Sequence, residues 1–472
     1  METFKMFVDF KKQDILGNKC DFCSLYPTAM FLDPYPLGSP QKIAYNPQVK
    51  DYYDEKNNEL NKFGYYYLEI VEQRGQYMAV LPERIGTKTV FALCHKCAER
   101  TIVDGEEAGP PGSCKHEDAE RAKHVFLPSP EINLALKHGA KILRIFEVHE
   151  FQETKELFKS YVKRWYRLKI IGGGTKDYEK WKSNAPAEHN TIEHYCQEIK
   201  DRFDIAIDPR EIGAKNEILR TTAKLCLNSL WGKYSMRMKP IQTVRCADKE
   251  EFLKLLDQCD ADEYDDFQLE ISPTCMTGKV TLFQNQLREN MHVNPYIAMS
   301  TTSNARIRLY ELFEACGFSN VMYGDTDSCF YTGDRIPYGV FLGESADELE
   351  GGFMRDIFAS RAPKDYFFSY ENAKKETKHK FVSKGLAHTK DTVDFVTENM
   401  KDMILESLGV ADKPAAPRAV KQVRFDKDYR GGIVTSSFAK AVKCDYDKRV
   451  PCDPVFDDLG NLLMIDTLPY GY

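Results

Sequence analysis

The chain has 472 residues, 42% of them hydrophobic and 29% charged. That composition excludes a disordered chain and is long enough for two to four folded domains. The net charge of −7 offers no bulk positive charge for nucleic acid, so any such surface has to be local.

No apolar run approaches the roughly 18 residues of a membrane-spanning helix, which argues against a membrane protein. The first twelve residues have no long apolar stretch of the kind a signal peptide carries. The fourteen cysteines are then expected as reduced thiols or metal ligands in an intracellular protein.

Near the start, Phe4, Met6, Val8 and Phe10 alternate as in a strand. A second strand is expected to lead to Asp21, followed by a turn, Ser24-Leu25-Tyr26, and by Pro27 in the first turn of a helix. Such a turn brings together a carboxylate, free backbone N–H groups and an aromatic ring; the alternative is an ordinary strand-to-helix connection.

Cys94 and Cys97 follow, then Cys114 and His116 beyond a Gly/Pro-rich loop. Together they supply four ligands suited to tetrahedral Zn²⁺, although the Cys-x-His spacing is short for a zinc finger.

From Thr154 to Ile170, Lys155, Lys159, Lys163 and Arg167 recur every four residues, with Lys169 near the end. Leu157, Phe158, Tyr161, Val162, Trp165 and Leu168 fill the other side, so an amphipathic helix with a basic stripe is expected, ended by Gly172-Gly173-Gly174. A second helix is expected over 216–234, with Arg220, Lys224 and Asn228 stacked on one face. Two such faces suit a polyphosphate; the alternative is a pair of solvated faces. Gly232, below the Lys/Asn face, leaves room for something flat against the helix. An acidic run, Asp257 to Asp266, follows.

The segment Tyr323-Gly324-Asp325-Thr326-Asp327-Ser328 sits between apolar runs. Two carboxylates two positions apart repel unless a cation lies between them, and hard oxygen ligands suit Mg²⁺. The alternative is a polar hairpin turn.

Taken in order, Asp21…Ser24-Leu25-Tyr26-Pro27, Lys224…Asn228-Ser229-Leu-Trp-Gly232 and Tyr323-Gly-Asp325-Thr-Asp327-Ser328 resemble motifs A, B and C of the family B DNA polymerases. Lys364-Asp365-Tyr366 is similar to that family's Lys-x-Tyr element. Leu342-Gly-Glu344…Leu349-Glu-Gly-Gly352 and the end, Thr467 to Tyr472, resemble the protein-primed branch, as in Polinton (Maverick) elements and linear plasmids. Trp231 stands where the family more often has Tyr or Phe, and Leu386 differs modestly from the usual aromatic.

The resemblance implies an α+β right hand: a palm with an antiparallel sheet, two-helix fingers and a thumb. It implies template-directed addition of deoxynucleotides to a primer 3′-hydroxyl, with two Mg²⁺ ions held by Asp21 and Asp327 and with Asp325 nearby. The backbone after Asp21, through Ser24 and Leu25, would receive the triphosphate. Lys224, Lys169 and, more weakly, Arg220 would grip it. Tyr26 would pack under the deoxyribose and reject a 2′-hydroxyl. Asn228 and Gly232 would line the nascent base pair, Ser229 and Thr326 would contact DNA, and Lys364 and Tyr366 would hold the primer terminus. Partners implied are primer-template DNA, deoxynucleoside triphosphates and a terminal priming protein.

The expected organisation follows. Residues 1–35 start the palm, and 36–150 form an insertion resembling the first terminal-protein region, with the zinc site. Residues 151–235 are the fingers, 236–290 resemble the second terminal-protein region, 291–384 return to the palm, and 385–472 form the thumb, interrupted by the Pro/Ala-rich stretch Lys413 to Arg418. Only residues 1–20 precede Asp21, so the expectation is a mobile-element polymerase without an exonuclease domain or proofreading. Two other readings stay open: an inactive DNA-binding remnant, and a nucleotidyltransferase that makes RNA, against which Tyr26 argues.

Overall fold

The computed structural model describes residues 2–236, 241–246, 249–260, 264–272, 275–282, 293–387, 389–410, 419–427, 432–442 and 446–472. Among these, no helix is long and apolar enough to cross a membrane.

The chain opens with β1 (Lys5–Asp9) and β2 (Gly17–Phe22), then helix α1 (Leu25–Leu32). β3 (Lys42–Tyr45) and β4 (Gly64–Val71) precede α2 (His95–Ile102). β5 (Lys123–Pro128), α3 (Ser129–Lys137) and β6 (Lys141–Glu150) follow. Three helices come next: α4 (Lys159–Lys182), α5 (Ile192–Phe203) and α6 (Glu217–Tyr234). The long α7 (Pro295–Cys316) leads to β7 (Val321–Asp325) and β8 (Ser328–Thr332). Then come β9 (Ser345–Asp347), β10 (Phe353–Ala362), β11 (Asp365–Glu371) and β12 (Thr377–Ser383). Helix α8 (Lys390–Ser407), the hairpin β13 (Ala419–Lys427) and β14 (Ile433–Ala441), and β15 (Leu462–Leu468) complete the chain.

The main sheet has twelve strands among the described residues, and its recorded pairings are antiparallel. Its central path runs Glu2–Thr3, β7, β8, β2, β10, β1, β15. A second, four-stranded sheet has the order β5, β4, β6, β3. Helix α7 lies between the two: Tyr310 and Phe313 share one core with Leu68 and Ile70 of β4 and with Cys329 of β8. Its start is fixed locally, because the Asn294 side chain accepts the Ile297 N–H at 3.2 Å and Pro295 occupies the first turn. The expected mixed α/β architecture built on a large antiparallel sheet is what the chain forms.

Several expectations need correction. Met6 and Val8 lie in a strand as expected, but β1 is buried along its whole length, on both faces, and Phe4 precedes it. Phe10 starts a helical turn, Phe10–Gln13, capped by the Asp9 side chain. The basic helix starts at Lys159, since Thr154–Lys155 is a short strand against Tyr35–Pro36. The glycine triplet ends that helix as expected: Gly174, at φ 55° and ψ −143°, is not helical, and a second helical stretch runs on from it to Lys182.

The stretch 385–472 shares its core with the main sheet. Helix α8 packs Val396, Met400 and Ile404 against Phe7 and Ala359, whereas β15 pairs with β1 inside the main sheet, Phe7 opposite Ile465. Burying Ile465 completely contributes about 1.5–3 kcal/mol to holding that strand in the sheet. The Pro/Ala-rich stretch Lys413 to Arg418 lies outside the described residues, as do parts of 236–290 and of the acidic run. The described part of 236–290 holds a three-stranded antiparallel sheet, Ile241–Cys246, Cys275–Leu282 and Tyr264–Ser272, with helix Lys249–Asp260.

Candidate active site

Strand β2 delivers Asp21 between two neighbours. Asp21 lies opposite Ser328 of β8 on one side and opposite Ala346 of β9 on the other. The Phe22 N–H donates to the Asp327 carbonyl at 2.7 Å, locking the end of β2 to the β7–β8 turn. That turn has two residues, Thr326 and Asp327, closed by the Asp325–Ser328 pair. The Asp327 N–H donates to the Asp325 carbonyl at 2.6 Å, and Thr326 Oγ1 bonds Asp325 Oδ1 at 3.0 Å. Thr326 has a φ of 57°, costly for a β-branched residue by about 1–3 kcal/mol and typical of functional turns.

Gathering acids this closely has an electrostatic cost. Burial, then repulsion from Asp327 and Glu348, pushes the Asp21 carboxyl up to about 7. Burial, then Asp325, raises Asp327 as well, and Lys224 opposes both shifts. A divalent cation relieves that repulsion, and two or three carboxylates are the hard-oxygen donor set that Mg²⁺ takes. Lys364 touches the third acid, with Nζ 3.4 Å from Asp325 Oδ2. Its backbone holds it there: Lys364 sits at φ 59° in the β10–β11 turn, and its N–H donates to the Tyr323 hydroxyl at 2.8 Å. The Tyr366 ring packs 5.0 Å from Tyr323 and 5.2 Å from Phe330.

Facing the acids is a cavity of about 280 Å³, lined by Asp21, Asp327, Lys169, Lys180, Arg220 and Lys224 among others. Lys169 Nζ donates to Ser24 Oγ at 3.1 Å, and burial lowers its proton affinity. The Arg220 guanidinium is held by Asp177, Nε to Oδ2 at 3.1 Å. The glycines explain how the helices come so close. A Cβ on Gly172 would lie 2.6 Å from the Arg220 backbone nitrogen. The Asn216 N–H donates to the Gly172 carbonyl and the Thr175 N–H to that of Gly213, both at 2.8 Å. Asn216 caps α6, accepting the Leu219 N–H at 3.0 Å.

The basic stripe is resolved differently from its expectation. Lys159 pairs with Glu156 at 2.8 Å, Lys163 with Asp204 at 2.5 Å, and Arg167 forks onto both oxygens of Glu211 at 2.7 Å. Lys163 and Arg167 hold the connector to α4, Lys159 pairs with the residues just before the helix, and Lys169, off the stripe, lines the cavity.

Asn228 also lines the cavity, while Ser229 is exposed one position on. A Cβ at Gly232 would meet no atom of the protein, so no packing contact of the chain's own demands that glycine. The Tyr26 ring lies 4.5 Å from Trp231, joining α1 to α6. Leu25, expected beside the triphosphate, is 1% exposed in the core and is not among the residues that line the cavity. Three site residues escaped sequence reasoning: Asp177, Lys180 and Glu348. The first two lie in the helical stretch past the glycines that end the basic helix, and Glu348 reaches the site only because β9 pairs with β2.

A second constellation lies apart from these. Cys94, Cys97, Cys114 and His116 each offer a ligand atom, all within 4.8 Å of one another. His116 Nδ1 is 3.4, 3.3 and 3.7 Å from the three sulfurs in chain order. Hydrogen bonding between the two thiols pulls Cys94 below the usual thiol range and pushes Cys97 above it.

The profile of the family described as DNA polymerase type B, organellar and viral, matches residues 14–183 and 204–315, more than half of the chain. No curated protein gives a match. Among solved structures, the chain is similar to Phi29 DNA polymerase complexed with primer-template DNA and incoming nucleotide substrates, at 16% identity and a TM-score of 0.52, over 93% of this chain and 59% of that one. The post-translocation binary complex of the same polymerase with primer-template DNA gives 15% identity and a TM-score of 0.51 over the same shares. The chain thus spans 59% of the length of the polymerase it resembles in fold. By the extent of the profile match, the chain belongs to the organellar and viral type B DNA polymerases.

Proposed function

We propose that the chain carries template-directed DNA polymerase activity, adding deoxynucleotides to a primer 3′-hydroxyl by two-metal phosphoryl transfer. The observation that carries the reading is the convergence of Asp21 and the β7–β8 turn on one side of a cavity whose other wall holds Lys169, Arg220 and Lys224. Bound at the acids, two Mg²⁺ ions would activate the primer hydroxyl and neutralise the triphosphate and leaving pyrophosphate.

The chain's own residues do the positioning. Asp21 and Asp327 hold the cations, with Asp325 steadied by Lys364. Lys169 and Lys224 take the triphosphate oxygens, beside the backbone at Ser24 and Leu25. Arg220 serves once it leaves Asp177. Tyr26, backed by Trp231, closes the floor beneath the sugar. Asn228, Ser229 and Gly232 present an open face to the base pair, and Thr326, Lys364 and Tyr366 face the primer end. The 36–150 and 236–290 regions fit protein priming, with a terminal protein as partner. The four Cys/His ligands would hold Zn²⁺ in tetrahedral geometry.

Primer extension on four templates differing in the first unpaired base tests the reading. The expected result is insertion of the complementary deoxynucleotide on each. Insertion that ignores the template base would overturn it.

A further inference from the structure

The Cys/His cluster sits where the end of the described chain meets the insertion. β15 lies beside β1 in the main sheet, and the residues after Leu468 leave that sheet and run into the cluster. The backbone N–H groups of Leu93 and Cys94 both donate to the Tyr470 carbonyl, at 2.8 and 3.1 Å. The Gly112 N–H donates to the Tyr472 carbonyl at 3.0 Å. The Tyr470 ring, 3% exposed, is buried among Ile85, Val90, Ala92 and Ala98. Gly471, at φ 79°, lies against Cys94 so closely that a Cβ would collide with that residue's Cβ and backbone.

The ligands come from two places. Cys94 and Cys97 flank the start of α2, and Cys114 and His116 lie near the end of a loop without regular structure, from Asp104 to Glu117. Arg74 steadies the loop's far end, donating to the Cys114 carbonyl at 3.1 Å and to the His116 carbonyl. Gly112, which grips Tyr472, is two residues before Cys114. Whatever fixes Cys114 and His116 to the start of α2 therefore also fixes both walls of the seat that 469–472 occupies.

We infer that Zn²⁺ at Cys94, Cys97, Cys114 and His116 is a clasp. Binding it would expel the thiol protons to solvent and set α2 and the loop as one seat for residues 469–472. The clasp fastens the insertion that bears the second sheet to β15, and through β15 to the sheet that carries Asp21. The inference rests on the zinc reading above and is independent of polymerase activity.

The test is hydrogen–deuterium exchange on the full chain, with zinc counted by elemental analysis. Three states are compared: as purified with zinc, stripped by a chelator, and reloaded with zinc alone. One zinc per chain is expected. Stripping should speed amide exchange in 93–97 and 469–472 by tenfold or more, and reloading should reverse it. Gly471→Ala should keep its zinc while 469–472 exchanges as in the stripped protein. Cys114→Ser should lose both zinc and protection, with the main-sheet amides of 17–22 unchanged as the sign that the fold persists. Zinc bound but no change at 469–472 on stripping, or full protection in Gly471→Ala, overturns the clasp and leaves the zinc reading standing. No zinc bound in any state overturns both.

Discussion

Asp21 and Ser328 face each other across the β2–β8 pair, and that register places the Asp21 carboxylate beside the turn carrying Asp325 and Asp327. A one-residue slip of β2 would send Asp21 to the opposite face of the sheet. The same strand is held on its other edge by β9, which adds Glu348 to the cluster and raises the proton affinity of Asp21 further.

That electrostatic load has a measurable pH dependence. The folded-state pKa of Asp21, about 7, lies above its ordinary value of 3.8. A raised carboxyl contributes stability that is fully present below the ordinary value and is lost as pH rises through the folded one. The metal-free chain should therefore lose part of its thermal stability between about pH 4 and pH 7, and Asp21→Asn should flatten that slope. Because Mg²⁺ competes with the proton, its stabilising effect should be larger at pH 8 than at pH 6. Melting curves at the two pH values, with and without Mg²⁺, check both statements.

The lysines of α4 should separate cleanly. Lys163 is paired to Asp204 outside the cavity, so Lys163→Ala should leave nucleotide KM within about twofold, as expected of a surface ion pair. Lys169 lines the cavity and bonds Ser24, so Lys169→Ala should raise KM for deoxynucleoside triphosphates by about 10–100-fold, the loss of a charge-assisted contact to phosphate. Steady-state kinetics of the two variants side by side decide the matter; equal effects would return the basic stripe to the phosphate site.

Gly172 is where α4 and α6 touch. Its replacement by Ala forces α6 away at Arg220 and should cost about 1–3 kcal/mol of stability, the usual range for overpacking. Since Arg220 and Lys224 share that helix, nucleotide KM should rise in the same variant. A chemical-denaturation midpoint and a KM measured on one preparation test the coupling.

Tyr26 packs on Trp231 and borders the acids. Tyr26→Ala should raise the ratio of ribonucleotide to deoxynucleotide incorporation by about tenfold or more, corresponding to at least ~1.4 kcal/mol of lost discrimination. Trp231→Phe should leave the ratio nearly unchanged, because a planar ring still supports the tyrosine. Competition assays with paired nucleotides give the ratio directly.

Local features were the legible ones. The strand leading to Asp21, the two-acid turn, the α6 boundary at Asn216 and the four Cys/His ligands each depend on residues close in sequence, where turn and capping chemistry act. Long-range pairing was not legible. Residues 464–466 return to residues 5–8 because β pairing leaves no mark of its partner in either strand, so β15 was placed in the thumb. The basic stripe misled for a related reason: its counter-ions, Asp204 and Glu211, come from the connector after α4. Asp177 and Lys180 were hidden because they lie in a separate helical stretch past Gly172-Gly173-Gly174, glycines that both end the basic helix and allow close packing against α6.

If Asp21 and Asp327 form one metal-holding centre for nucleotide addition, neither can be removed without loss of the reaction. The deciding experiment is the single-turnover rate of correct deoxynucleotide addition to a primed template with Mg²⁺, for the unmodified chain, Asp327→Ala and Asp21→Asn. Rapid addition by the unmodified chain is expected, with a fall of at least about 10³-fold in each variant, some 4 kcal/mol of transition-state stabilisation, and unchanged far-UV circular dichroism. Extension by either variant at the unmodified rate, or none by the unmodified chain above the variants, would contradict it.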